Sequence, residues 1–245
     1  MLLKNSISLI NEFFSITFHN IRKIYLKSKI YNKKISINES NTLNYKPSLS
    51  ILSCLIKYEK KKNKIEDFNV DSIWDKEIKD KDLKKLHSFY WLFTIDLKST
   101  KKITHSIIQN WIKKNQNYNS DIWEIDILSK RIISWISNFQ ITYEDTSEEY
   151  KFIFNNSIMK QTNHLINEIN RSEKVDNKMI GCTAIILTGL SYNKEKFLSY
   201  GLDLLKKIIN SSFDGEYFPK SRNIRQLVFY LKYFVLIREL LKESL

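Results

Sequence analysis

Ile125-Asp-Ile-Leu-Ser-Lys-Arg-Ile-Ile-Ser-Trp-Ile-Ser-Asn-Phe139 carries apolar side chains at Ile125, Leu128, Ile132, Trp135, Ile136 and Phe139. Steps of three and four keep these residues on one face of a helix, whereas a strand would need strict alternation. The same period continues in both directions. Toward the N-terminus, Leu83, Leu86, Tyr90, Leu92, Phe93 and Leu97 predict one helix from about residue 81. Ile103, Ile107, Ile108, Trp111 and Ile112 predict the next, with Ser99 or Thr100 as its cap. Asn115 to Ser120 is a polar break. Toward the C-terminus, Tyr150, Ile153, Phe154, Ile158, Leu165 and Ile169 predict a helix opened by Asp145 or Thr146. Further helices are predicted over 176–190, 193–210 and 223–242, with a loop at 211–222 around Gly215 and Pro219. Alternate helices begin about 45–50 residues apart, the scale of a helix-pair repeat. Short connections make consecutive helices antiparallel. Such a chain of pairs builds a solenoid or, if it curls, an α/α toroid.

Composition supports helices. The 245 residues include 4 Gly and 2 Pro, where average usage would give roughly 17 and 12. Few tight turns can be built from that supply. A Walker loop or a Rossmann fingerprint, which need clustered glycines, is excluded. Cys54 and Cys182 lie far apart, and His19, His87, His105 and His164 are scattered. Neither set has metal spacing, so no metal and no cofactor is expected. His87 and His164 sit among apolar helix positions and read as hydrogen-bonded core histidines.

The net charge of +13 suggests an anionic partner: nucleic acid, a membrane surface or an acidic polysaccharide. Lys is spread along the chain with Ile and Asn, as AT-rich coding DNA produces, which argues against nucleic acid. The segment Met1 to Ile30 reads as an amphipathic helix with a basic end at Arg22, Lys23, Lys27 and Lys29. It can pack on the body of the protein or lie on a membrane. It has no continuous apolar core and no small-residue cleavage site, so a cytoplasmic location is expected, with the periplasm as the alternative. No window predicts an integral membrane segment. Residues 31–80 are the least regular part. Ser48 to Tyr58 fits strand or helix, and Lys57 to Lys64 reads as a solvated charge run. The expected organisation is a lead-in over 1–80 and a helical domain over 81–245.

Several strings resemble one family. His87-Ser-Phe-Tyr-Trp-Leu92, Asn110-Trp-Ile-Lys113 and Leu128-Ser-Lys-Arg-Ile-Ile-Ser-Trp-Ile136 are similar to elements of the heparinase II/III-like polysaccharide lyases of bacteria. So are Lys160-Gln-Thr-Asn-His-Leu165, Asn177 with the helix Ala184 to Leu190, and Asp214-Gly-Glu-Tyr-Phe-Pro-Lys-Ser221. A final helix ending Leu236-Ile-Arg-Glu-Leu-Leu241 completes the series. The resemblance covers about residues 81–245 in the family's order. The matching part of the family is its N-terminal α/α toroid, so an all-α, incomplete toroid of antiparallel helix pairs is the expected fold.

The resemblance implies a carbon–oxygen lyase acting by β-elimination on a uronate-containing acidic polysaccharide. That chemistry needs a group to neutralise the carboxylate, a base to remove the α-proton and an acid to protonate the leaving oxygen. Asn177 falls at the family's carboxylate-neutralising position, although a helix-start cap is the plainer role. Tyr217 replaces the loop histidine and is the candidate acid. Lys178, Lys220, Arg222 and Arg225 are candidate anion contacts. Arg131 lies on a mostly apolar helix, where it can reach a groove or pair with Glu124 or Asp126. Trp91, Trp111, Trp123 and Trp135 are candidate sugar platforms, against the usual core role of aromatic residues at helical spacing.

The family's Tyr-His pair is replaced by Ile224 and Arg225. No segment has the strands or glycines of the family's C-terminal β-sandwich, so a truncated form, or half of a split enzyme with a separately encoded β-sandwich partner, is expected. Activity of this chain alone is left open. Two other classes stay in play: a non-catalytic helical scaffold for a protein partner, and a basic peripheral binder of membrane or nucleic acid.

Overall fold

The structure, a computed structural model, describes residues 14, 16–18, 20–36, 41–48, 51, 74, 80–94 and 101–244. The expected caps Ser99 and Thr100, Leu97, Cys54 and the Lys57 to Lys64 run lie outside the described residues, as do the first thirteen positions and most of the Ser48 to Tyr58 stretch. The fold is all-α. Its helices are α1 (Lys29–Ile35), α2 (Asp80–Ser88), α3 (Lys101–Lys114), α4 (Ile125–Ser137), α5 (Phe139–Thr142), α6 (Glu148–Glu168), α7 (Val175–Ser191), α8 (Glu195–Ser212) and α9 (Ile224–Ser244). Helical turns over 20–27 precede α1. Among the described residues the one β feature is an isolated bridge between Phe213 and Pro219.

Contacts fix the sense of the helices. Arg131 of α4 bonds Gln161 near the end of α6, whereas Trp135 stacks on Phe154 near its start. These two helices are therefore antiparallel. From α6 to α7, Thr162 meets Thr188, and Asn155 meets Tyr192 just past the end of α7. That pair is antiparallel too. In α7 and α8, Gly189 faces Leu198 and Gly201 faces Ile186, again antiparallel. Helices α7 and α9 run the same way. Their first turns meet at Asp176 and Gln226, and residues 44–48 bind the far end of both, at the Ser191 carbonyl and the Glu243 carboxylate. Helix α7 also packs on α4. The result is α4, α7 and α9 side by side, with α6 packed against α4 and α7, and α8 packed against α7.

Helix α7 is the centre, touching α4, α6, α8 and α9. Its sequence Met179-Ile-Gly-Cys-Thr-Ala-Ile-Ile-Leu-Thr-Gly-Leu190 is apolar on every side, as a helix covered all round must be. Its small residues permit close approach: a Cβ on Gly189 would lie 2.6 Å from the Leu198 backbone nitrogen. Buried hydroxyls are satisfied locally, since Thr183 and Thr188 donate to the carbonyls four residues back.

Helix limits are set by ordinary capping. Ser147, not Asp145 or Thr146, caps α6 by accepting from the Tyr150 N–H, and Glu148 and Glu149 fill the first turn. The helix predicted from 81 through 97 departs from the structure. It stops at Ser88, Phe89 takes a positive φ of 56°, and Tyr90–Thr94 continues as a 3-10 turn. Phe89 is held there by burial, packed between Trp91, Trp111 and Trp135. The N-terminal segment packs on the body: Tyr31 and Ile35 are fully buried, and Arg22 pairs with Glu168 of α6.

Candidate functional site

A cleft of about 290 Å³ opens where α4, α6 and the start of α7 meet the segment 20–27. Trp123, Tyr118 and His164 form its aromatic side. Glu168 and Arg171 supply charge, and Asn177 closes it from α7. Each is placed by a local rule. Trp123 and Tyr118 lie on the polar connection before α4. Arg171 lies in the 3-10 turn Ile169–Arg171 that ends α6. Asn177 lies in the first turn of α7, three residues past the N-cap Lys174, and its side chain makes no hydrogen bond to a described residue. The expected capping role of Asn177 is therefore replaced by a position on the cleft. Half-buried Lys178 follows it.

The aromatic side is rigid and neutral. His164 is 2% exposed and shares a 2.7 Å hydrogen bond with Tyr31. Burial, reinforced by Arg22, lowers its pKa to about 3, so the ring is uncharged at neutral pH. Burial also raises the Tyr118 pKa, aided by Asp121, so its phenol stays protonated. Rings of Tyr118 and Trp123 pack on His164 at centroid distances of 5.2 Å each. The Trp123 indole N–H is buried without a partner. A second cleft of about 220 Å³ shares Trp123 and is bordered by Phe152, Asn156 and Lys160.

No family model, curated protein or solved structure matches this chain.

The loop residues separate into anchors and exposed groups. Asp214 accepts from the N–H groups of Glu216 and Phe218 and pairs with Arg222 at 2.7 Å. The Phe218 N–H, with Glu216 and Arg222 adding to it, holds the Asp214 carboxyl below its usual range. Arg222 is thus a loop brace. Lys220 is also committed, donating 3.1 Å hydrogen bonds to the Asn210 and Ser211 carbonyls at the end of α8. Tyr217 is 82% exposed, at a positive φ of 60°, and Arg225 is exposed. One chain of contacts ties this loop to α7: Ser221 donates to Gln226, and Gln226 donates to Asp176, the neighbour of Asn177. The loop and Asn177 therefore share one end of the helix stack. Tyr217 does not line the cleft.

Three candidate contacts are placed inside the protein. Trp135 is 0% exposed, stacked on Phe154 and edge-on to Phe89 and Trp111. It cannot offer a face to a sugar. Trp91 is half-buried, stacked on Phe89, and donates from its indole to the Leu86 carbonyl. Arg131 is 0% exposed and reaches neither a groove nor an acid. Glu124 pairs with Lys84 and Asp126 with Lys130 instead. The Arg131 guanidinium donates to Gln161 Oε1 at 2.6 Å and to the carbonyls of His87 and Ile122 at 2.9 and 3.1 Å. It lies over the Trp111 ring, 4.2 Å from the centroid, and burial lowers its pKa. The Trp111 indole donates to His87 Nδ1 at 2.8 Å, so His87 is the hydrogen-bonded core residue expected.

Tyr118, Glu168 and Arg171 were not singled out in the sequence. Their separate positions carry no shared pattern: the short connection from α6 to α7 brings Glu168 and Arg171 to Asn177, and Tyr118 arrives from the connection before α4.

Proposed function

We propose that the chain is the helical, substrate-binding part of a heparinase II/III-like polysaccharide lyase, holding a uronate-containing acidic polysaccharide and not active by itself. One observation supports this most: Asn177, the position that the resemblance marks for carboxylate neutralisation, opens onto a cleft with an aromatic side and Arg171. An amide and a guanidinium suit a sugar carboxylate, and the half-buried Tyr118 ring suits a sugar ring, with the buried Trp123 indole behind it. Binding is favoured over catalysis because Ile224 and Arg225 stand where the resemblance calls for a Tyr-His pair. The curl of the helix pairs into a toroid, and a separately encoded β-sandwich as partner, belong to the same proposal.

The test is titration with polygalacturonate, alginate and heparin, followed by tryptophan fluorescence and calorimetry. Saturable binding to at least one polymer is expected, weakened about tenfold or more by Asn177→Ala together with Arg171→Ala, as loss of charge-assisted hydrogen bonds implies. Equal affinity of the double variant would remove the cleft from the proposal. Unsaturated uronate, read by absorbance, is expected only when a β-rich partner is added.

A second reading, a helical scaffold for a protein partner, is favoured by one feature. Ile224, Val228, Leu231 and Val235 form an exposed apolar row along α9 at steps of four, three and four.

A further inference from the structure

The N-terminal helical segment exposes an apolar row, in which Phe18 also meets the Arg171 guanidinium. Phe14, Phe18, Ile21 and Ile24 are each more than half exposed, with Ile24 at 72%. Their steps of four, three and three keep them on one side of a helix. Packing is made by Arg22, which pairs with Glu168, by half-buried Tyr25 and by buried Leu26. The next turn repeats the arrangement, with Tyr31 and Ile35 buried and Ile30 75% exposed. A surface helix that merely covers a core puts its apolar residues inward and polar ones outward. This one has apolar residues on both sides.

Charge identifies what the outer side meets. Residues 14–36 contain Arg22, Lys23, Lys27, Lys29, Lys33 and Lys34 and no Asp or Glu. The five lysines are all exposed. A second copy of this chain would bring lysines against lysines across the contact. An anionic surface that also accepts apolar side chains meets both features, and a bilayer rich in acidic lipids is such a surface.

We propose that residues 14–30 form a membrane-surface docking element, inserting Phe14, Phe18, Ile21 and Ile24 between anionic headgroups that the flanking lysines hold. The element reaches one of the proposed polysaccharide contacts, since the Arg171 guanidinium lies over the Phe18 ring, 5.9 Å from its centroid, but its test does not depend on polysaccharide binding. It borders the same cleft through Leu26 and the Arg22–Glu168 pair, so docking would hold the cleft next to the headgroups.

The experiment is co-flotation of the full chain with vesicles of phosphatidylcholine alone and of phosphatidylcholine with phosphatidylserine. Binding to the anionic vesicles, reduced by salt, is expected. Ile21→Asp with Ile24→Asp is expected to lower the partition about tenfold or more, because each loses an inserted side chain. Lys23→Glu with Lys27→Glu is expected to remove the preference for anionic vesicles. Circular dichroism should be unchanged in both, since all four side chains are exposed. Failure to float with anionic vesicles at low salt would overturn the proposal. So would undiminished flotation of the Ile21 and Ile24 variant. Concentration-dependent self-association abolished by that variant would assign the face to a second copy and also overturn it.

Discussion

His164 and His87 show how burial changes what a residue can do. Both are uncharged in the folded protein, with pKa values lowered to about 3 and about 4 by loss of water, and by Arg22 and Arg131 respectively. In the unfolded chain both return to the ordinary histidine value near 6.5. Below that value the unfolded chain takes up protons that the folded one refuses. Stability is therefore full above about pH 6.5 and falls as the pH drops toward the folded values. The slope is at most about 1.4 kcal/mol per pH unit for each histidine. Urea midpoints should be flat above neutrality and decline between about pH 6.5 and 4.5, a window above the carboxylate range. His164→Gln, which can still bond Tyr31, should lessen that decline. A midpoint independent of pH across the window would show that neither ring is buried as described. The position of His164 in the core was legible from its apolar neighbours in the sequence. The fate of Arg131 was not, because two of its three hydrogen-bond partners are backbone carbonyls, at His87 and Ile122, and carbonyls have no sequence signature.

At the scale of elements, the period of Ile125 to Phe139 was enough to place α4, and the same rule placed α6, α7, α8 and α9 to within a few residues. The break after α2 escaped it. Phe89 lies outside the apolar period that predicted the helix, and its positive φ goes with packing on Trp91, Trp111 and Trp135 rather than with its own preference. Glycines mark the opposite case, where the sequence shows the residue and the structure shows the reason. A Cβ at Gly189 would meet the Leu198 backbone at 2.6 Å, and backbone cannot yield. At Gly201 it would meet Ile186 Cγ1 at 2.5 Å and the Ile186 backbone nitrogen at 3.3 Å. At Gly181 the 2.4 Å contact is the tip of the Ile169 side chain, which can rotate away. Nothing stands within 4 Å of Gly215, whose φ is not positive. Alanine substitutions should therefore destabilise in the order Gly189, Gly201, Gly181. The first should lose about 1–3 kcal/mol, as overpacking does, and Gly215→Ala should stay within about 0.5 kcal/mol. Chemical denaturation of the four variants checks the order. A Gly189→Ala loss no larger than that of Gly215→Ala would mean that the close α7–α8 approach does not set the effect.

For the whole molecule, the +13 charge and the cleft make different demands on an anionic partner. A net field attracts every polyanion and is screened over about 8–10 Å at ordinary ionic strength, and over about 3 Å at 1 M salt. Contacts made inside a cleft are screened far less, because water and ions are displaced from them. Two polyanions separate the two sources: a uronate polysaccharide and an inorganic polyphosphate. At low salt both should bind and raise the unfolding temperature, since a ligand that prefers the folded state stabilises it, more so as its concentration exceeds its dissociation constant. At about 1 M salt the polyphosphate effect should vanish, with part of the polysaccharide effect remaining. The remainder should be lost on Asn177→Ala with Arg171→Ala, whereas the low-salt attraction should fall only slightly, because one cation in 40 is removed. Identical salt curves for the two polymers would leave the whole interaction to the surface lysines, which the sequence shows spread along its entire length, and the cleft between α4, α6 and α7 would then have no part in it.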